Sequence, residues 1–438
     1  MTRDNEIEAL EPPSSRKAAQ TVRASAPKSK RTGFAMGEER DAFRKEFYPG
    51  VTRAEWNDWH WQIAHRVTSQ AELFRHINPT PQETLAQGGE FPLAITPYYL
   101  SLVNGADPSC AIRRAVSPTM QEAVLGPGEA DDPLGEEGHS PTPGLVHRYP
   151  DRVLFLSTDF CSTYCRYCTR SRLVGRGNAG SVRKRWDACL DYIAATPTVR
   201  DVVVSGGDPL TMPDEAIDYL LGRLRAISHV EIVRLGTKVP AVLPQRVTRD
   251  LVRMLRKHNP LFMSCHMMHP RELTPETNQA FERLADAGLP LGSQTVLLAG
   301  INDAPETLAA LFHGLLKVRV RPYYLYQCDP IHGSAHFRTS VAKGVELMSA
   351  LRGHTSGYAV PTYVIDAPGG GGKVPIYANT MLGRDEQGLA LVNYEGRVYH
   401  YPDYAPEPVP AAADATSFAT CPAGCPAASH AAPVVGAH

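Results

Sequence analysis

Arg152-Val-Leu-Phe-Leu-Ser-Thr-Asp-Phe-Cys161-Ser-Thr-Tyr-Cys165-Arg-Tyr-Cys168 runs a short apolar stretch straight into three cysteines within eight positions. Val153–Ser157 reads as a buried strand, too short for a helix and rich in large apolar side chains. Downstream the rhythm repeats. Strands at Val202–Ser205, Ile232–Gly236, Leu261–His266, Gly292–Leu298 and Arg319–Tyr326 alternate with helical stretches near Trp186–Ala195, Asp214–Ile227, Thr248–His258, Pro275–Ala287 and Pro305–Leu316. Six such repeats predict an α/β fold with a parallel sheet, a partial or full (βα) barrel. Chemistry in either form belongs at the carboxyl ends of the strands, and the cysteines lie at such an end.

Thiolates are the usual ligands of iron–sulfur clusters. Three of them hold three irons of a 4Fe–4S cubane and leave the fourth iron open. Zinc is the rival, but it wants four ligands in paired spacings, and no fourth Cys or His stands nearby at such a spacing. The second strand ends in Ser205-Gly206-Gly207-Asp208-Pro209, where glycines permit close backbone approach. Near the end of the barrel region stands Asp366-Ala-Pro-Gly369-Gly370-Gly371-Gly372-Lys373-Val-Pro. A nucleotide-binding P-loop needs a hydroxyl residue after its lysine; Val374 is there instead. Four glycines can still offer N–H groups to a phosphate, and Lys373 can form a Schiff base with pyridoxal phosphate (PLP). A plain flexible turn with a solvated lysine is the competing reading.

Composition bounds the rest. The chain has 438 residues, 43% hydrophobic and 21% charged, with a formal net charge of -1. That is an ordinary globular mix without the basic field of a nucleic-acid binder. No run of about 18 apolar residues suggests a membrane span. The first 33 residues are polar, lack the apolar core of a secretory signal and read as a disordered tail; the Ala/Pro-rich stretch from about Ala405 reads the same way. Nine cysteines, unevenly spread, suit a metal site in a reducing cytoplasm better than disulfides. Residues 34–110 suit a helical N-terminal arm, with Trp56, Trp59 and Ile63 on one helical face. These tryptophans, with Trp61, are expected in core or subunit packing. The barrel is expected over 111–380, followed by a C-terminal extension over 381–438.

The cysteine spacing is the signature of the radical S-adenosylmethionine (SAM) superfamily. Over about Glu55 to Tyr401 the chain resembles the lysine 2,3-aminomutase family. The resemblance is carried by Trp56-Asn-Asp-Trp59-His-Trp61-Gln, Ala94–Leu102, His147-Arg-Tyr-Pro-Asp-Arg152, Cys161–Cys168, the Ser205–Pro209 turn, Arg321–Asp329, His336-Phe-Arg-Thr339 and Asp366–Lys373. It implies a radical SAM barrel, a 4Fe–4S cluster on Cys161, Cys165 and Cys168, and SAM contacts from Gly206, Gly207, Asp208, His266 and Gln294. It also implies PLP on Lys373, with Arg148, Arg152 and Gly369–Gly372 near its phosphate. Arg170 would clamp the substrate carboxylate, and Asp329 and Asp366 would face the far end of the substrate.

The implied reaction moves the α-amino group of a basic amino acid to the β carbon. L-Lysine is expected, with L-arginine as the alternative, because two buried carboxylates need a cation between them. A one-electron donor such as a flavodoxin or ferredoxin, a homo-oligomeric state and a use of the product in antibiotic biosynthesis or as an osmolyte complete the expectations. A protein-modifying aminomutase and a non-catalytic iron–sulfur redox protein are the rival readings. Clostridial-type members of the family carry an intersubunit zinc. Here Ala304 replaces one cysteine and only Cys421 and Cys425 stand near the C-terminus, so no structural zinc is expected.

Overall fold

The computed structural model describes residues 34, 36–86, 91–176, 182–386 and 388–402. Both expected tails, with Cys421 and Cys425, lie outside the described residues. Nine strands form one sheet in sequential order: β1 (Leu145–Tyr149), β2 (Arg152–Thr158), β3 (Asp201–Gly206), β4 (Ile232–Thr237), β5 (Leu261–His266), β6 (Leu291–Leu297), β7 (Arg321–Gln327), β8 (Thr362–Ala367) and β9 (Gly372–Pro375). From β2 to β8 all pairings are parallel; β1 and β9 flank them as antiparallel edges. Among the described residues no backbone ladder joins β1 to β9. Instead the Lys373 N–H of β9 donates to the Tyr149 hydroxyl of β1 at 2.8 Å. The sheet is therefore a nearly closed, partial barrel whose seam is bridged by a side chain.

Strand periodicity explains which residues reach the lumen. Val202, Val204, Val233, Leu235, Cys265 and Leu325 are fully buried on the outer face, under the helices. Their neighbours Val203, Ser205, Arg234, His266, Gln294, Tyr324 and Tyr326 line the interior, as alternation in a strand requires. The helices cover the outer face with apolar stripes. In Arg249–Arg256, for example, Thr248 caps the helix by accepting from Leu251 N, and Leu251, Met254 and Leu255 face the sheet. Each fully buried leucine contributes about 2 kcal/mol, and Leu255→Ala would cost about 2–5 kcal/mol through the cavity it leaves.

All six expected strands begin within two residues of the observed ones. Arg319, expected in the sixth, has φ 63° and lies in a turn before β7. β8 and the preceding helix Val341–Leu351 were not anticipated. The N-terminal arm is a chain of short helices. Thr52, Ser69 and Thr80 each open one with a capping box closed by Glu55, Glu72 and Glu83. The expected single tryptophan face is broken, because Asp58 caps a new helix at Trp59. Trp56 is nonetheless core, enclosed by Phe43, Tyr48 and Trp61 at centroid distances of 6.3, 5.8 and 5.9 Å. After the barrel, Met381–Asp385, Gly388–Val392 and Val398–Tyr401 form a small antiparallel sheet. No described helix is long and apolar enough to cross a membrane.

Candidate active site

A cavity of about 480 Å³ occupies the barrel lumen. It brings together Arg148, Arg152, Arg170, His266, Gln294, Asp329, Asp366, Gly370, Gly372 and Lys373, residues drawn from distant parts of the sequence. Tyr149, Tyr323, Tyr324 and Tyr326 complete its walls.

Lys373 and Asp366 are direct partners in the β8–β9 register. Lys373 Nζ lies 3.0 and 3.2 Å from the two Asp366 oxygens and 5.4 Å from the Tyr326 ring centroid. Asp329, just beyond β7, accepts from the Thr169 hydroxyl at 2.6 Å. Burial pushes its carboxyl up to about 6, and Asp366 adds to the rise while Lys373 and Arg170 oppose it. The two acids thus share a low-dielectric site in which one cation, Lys373, is already paired with Asp366.

The glycine run is the β8–β9 turn. Gly370 is buried with φ +83°, and a Cβ there would stand 2.4 Å from His139 Cε1 and 3.2 Å from Arg148 Nε. Only glycine lets the turn lie against Arg148. Arg152 lies over the Tyr149 ring at 3.9 Å and pairs with Asp151 at 3.0 Å. Tyr149 was missed by sequence reading, although it sits between the two arginines; its hydroxyl ties this cationic corner to Lys373.

Arg170 lines both the lumen and a neighbouring cavity of about 410 Å³. Its Nε lies 3.1 Å from both oxygens of the nearly buried Glu136, and its Nη2 2.5 Å from one of them. Arg172 joins the cluster through Asp132 at 3.0 Å. Glu136 has no motif to announce it. The same acidic segment docks on the glycine turn, where Gly369 N donates to Pro133 O at 2.9 Å.

The cysteine loop leaves β2 and is pinned to the N-terminal arm. Tyr164 N donates to Ala94 O and Arg166 N to Ala115 O, each at 2.9 Å, and Arg66 Nη1 donates to Cys161 O at 2.8 Å. The buried Arg166 guanidinium pairs with Glu122. Burial raises all three thiols, Cys168 to about 11. Gly206 and Gly207 line the smaller cavity, and their reason for being glycine is the cysteine loop. A Cβ on Gly206 would meet Thr158 O at 2.3 Å, and one on Gly207 would meet Phe160 O at the same distance. Asp208 lines neither of these two cavities. Its carboxylate is buried and accepts from the Thr237 hydroxyl at 2.7 and 2.9 Å and from the N–H groups of Lys238, Val239 and Leu210. It braces the ends of β3 and β4 and has little capacity left for a ligand. His266 and Gln294 are partners across β5 and β6 and do face the lumen. Burial lowers His266 to about 4, so its ring is neutral, and Gln294 Nε2 donates to Tyr323 Oη at 3.2 Å.

These residues fit the implied cofactors. Among the described residues, no three His, Cys, Asp or Glu side chains could hold one shared metal ion. A cubane asks for something else, one thiolate on each of three separate irons, and Cys161, Cys165 and Cys168 sit on one loop at the strand end. Arg148, Arg152 and the glycine turn suit a phosphate, and Lys373 supplies the amine for an aldehyde.

Comparison with known proteins agrees. A family model described as the radical SAM superfamily matches residues 155–312, and one described as lysine-2,3-aminomutase matches 348–424. L-lysine 2,3-aminomutase of Fusobacterium nucleatum is 48% identical over 371 residues, 83% of this chain and 87% of the relative. The enzyme of the same name from Clostridium subterminale is 48% identical, covering 82% of this chain and 87% of the relative. Glutamate 2,3-aminomutase of Clostridioides difficile is 40% identical, covering 80% and 84%. With the barrel, the cysteine loop and the lysine-bearing turn in one register, this chain belongs to the lysine 2,3-aminomutase family of radical SAM enzymes.

Proposed function

We propose that this protein is an isomerase that converts L-lysine to β-lysine by moving the α-amino group to the β carbon. The observation that carries the choice of substrate is the pair Asp329 and Asp366. Family membership alone admits glutamate, whose side-chain carboxylate these acids would repel. A substrate ammonium relieves that repulsion and favours the ionised form of Asp329.

When bound, the cluster and SAM would supply a hydrogen-abstracting radical, and PLP an aldehyde through which the substrate's own α-nitrogen becomes unsaturated and able to migrate. The chain's own residues prepare the geometry. Cys161, Cys165 and Cys168 would hold the cluster on the loop that leaves β2. Arg148 and Arg152 would hold the phosphate end of PLP, and Lys373 would anchor its reactive end. PLP held on Lys373 would draw Nζ away from Asp366, with which it now pairs at 3.0 Å, and leave that carboxylate to accept a substrate ammonium. Arg170, braced by Glu136, orients the substrate carboxylate. With both ends of the substrate fixed, its β carbon is presented in one place, and a misplaced hydrogen donor would lose rate steeply. The tyrosine walls exclude water from a radical reaction. Cluster reduction requires a one-electron donor of flavodoxin or ferredoxin type.

The test is anaerobic turnover of the reconstituted enzyme with L-lysine, L-arginine and L-glutamate in competition, with products separated by mass spectrometry. β-Lysine is expected to dominate. A dominant β-arginine would move the substrate, and a dominant β-glutamate would overturn the reading of the two acids.

A further inference from the structure

Two buried charges beside the cysteine loop have no part in the reaction described above. Lys238 follows directly on β4 with its side chain 11% exposed, and its Nζ lies 2.6 Å from Oε1 of the fully buried Glu272. Glu272 also accepts from the Tyr99 hydroxyl at 2.7 Å and from the N–H groups of Met268 and His269 at 2.6 and 3.2 Å. Lys238 Nζ rests 3.5 Å from His266 O and 5.9 Å from the Tyr99 ring centroid.

Both halves of the pair are tied to residues that adjoin cluster cysteines. Asp208 accepts from Lys238 N at 2.7 Å, and its own N–H donates to the carbonyl of Phe160, the neighbour of Cys161, at 2.8 Å. The hydroxyl of Tyr167, the neighbour of Cys168, donates to Met268 Sδ at 3.4 Å. Burying two ions costs several kcal/mol each, and an apolar pair of the same volume would fold at least as well. Their position explains their presence better than stability does.

We propose that Lys238 and Glu272 set the reduction potential of the cluster. Reduction adds one electron from the external donor and moves no proton and breaks no bond. The ammonium stabilises the added negative charge; Glu272 holds the ammonium in place and offsets part of its field. Charge and burial around a cluster are recognised controls of its potential. Other charged groups on this side, Arg66 at the Cys161 carbonyl and Asp208 beneath the loop, stay constant in the test. The inference rests on the cysteine loop holding the cluster and is independent of which amino acid is the substrate.

The experiment is a redox titration of the full-length enzyme, reconstituted with cluster and PLP but without SAM, followed by electron paramagnetic resonance of the reduced cluster. At a fixed applied potential, Lys238→Met should lower the reduced-to-oxidised ratio about tenfold and Glu272→Gln should raise it about tenfold. The double variant should return within about threefold of the parent, and Lys238→Arg should stay there too. A purely structural pair would move both single variants in the same direction or leave the ratio unchanged, and either result overturns the proposal. Iron content and melting temperature accompany each variant. Should Lys238→Met lose its cluster, Glu272→Gln and Lys238→Arg decide the matter alone: no rise in the first, or a tenfold change in the second, refutes it.

Discussion

Asp329→Asn removes one charge from the lumen while keeping the volume of the side chain. Its amide oxygen can still accept from Thr169, whose hydroxyl lies 2.6 Å from the native carboxylate. What is lost is the ion pair with the substrate ammonium, in a site buried enough to push the carboxyl up to about 6. Truncating one partner of a buried, hydrogen-bonded charge pair costs about 2–5 kcal/mol. Asp366 remains to share the cation, so we take about 2–4 kcal/mol, a loss in kcat/KM for L-lysine of roughly 30- to 900-fold. The assay is the anaerobic initial rate across lysine concentrations. Binding of L-norleucine, which has the same chain length without the ε-ammonium, is followed in parallel by the visible spectrum of bound PLP. Norleucine affinity should change less than about threefold, because no charge is paired in its complex. A loss of lysine kcat/KM below threefold, or an equal loss of norleucine affinity, would refute the placement of the ammonium.

The same carboxylate predicts a pH dependence: kcat/KM should fall about tenfold per pH unit below about pH 6 as Asp329 protonates, and Asp329→Asn should abolish that limb. Its effect on stability has the opposite sign to that of a salt-bridged acid. The folded value is raised from 3.8, so the folded protein binds the proton more tightly, and stability of the substrate-free enzyme should fall by on the order of 3 kcal/mol between about pH 4 and pH 6. Melting curves of parent and Asp329→Asn across that window check this. Lys373→Ala should abolish the visible PLP band while leaving iron content unchanged; a retained band would remove Lys373 from its role. Gly207→Ala should lower stability by about 3 kcal/mol and reduce iron loading, because the new Cβ meets the Phe160 carbonyl at 2.3 Å and both atoms are backbone-fixed.

Much of the architecture was legible because short apolar runs such as Val202–Val204 recur between helical stretches at the spacing of βα repeats. The cysteine triplet and Lys373 were legible because chemistry restricts residue type and spacing. β8 was harder. Thr-Tyr-Val-Ile-Asp-Ala ends in a lumen-facing acid and runs into the glycine turn, so its apolar run is too short and too interrupted to stand out as a strand. The tryptophan face failed for a local reason, the capping carboxylate of Asp58. Most hydrogen bonds to the Asp208 carboxylate come from Thr237, Lys238 and Val239, some thirty positions on, which no local pattern reveals. Glu136, Lys238 and Glu272 share that difficulty: an acid or a lysine in a loop looks solvated until the fold buries it.

The most direct test of the central claim is to give the reconstituted enzyme L-lysine carrying nitrogen-15 at the α position, with SAM in substoichiometric amount. The account predicts β-lysine with the label at the β nitrogen, formed in excess over the SAM supplied. Stoichiometric conversion of SAM to 5′-deoxyadenosine without labelled β-lysine would contradict it.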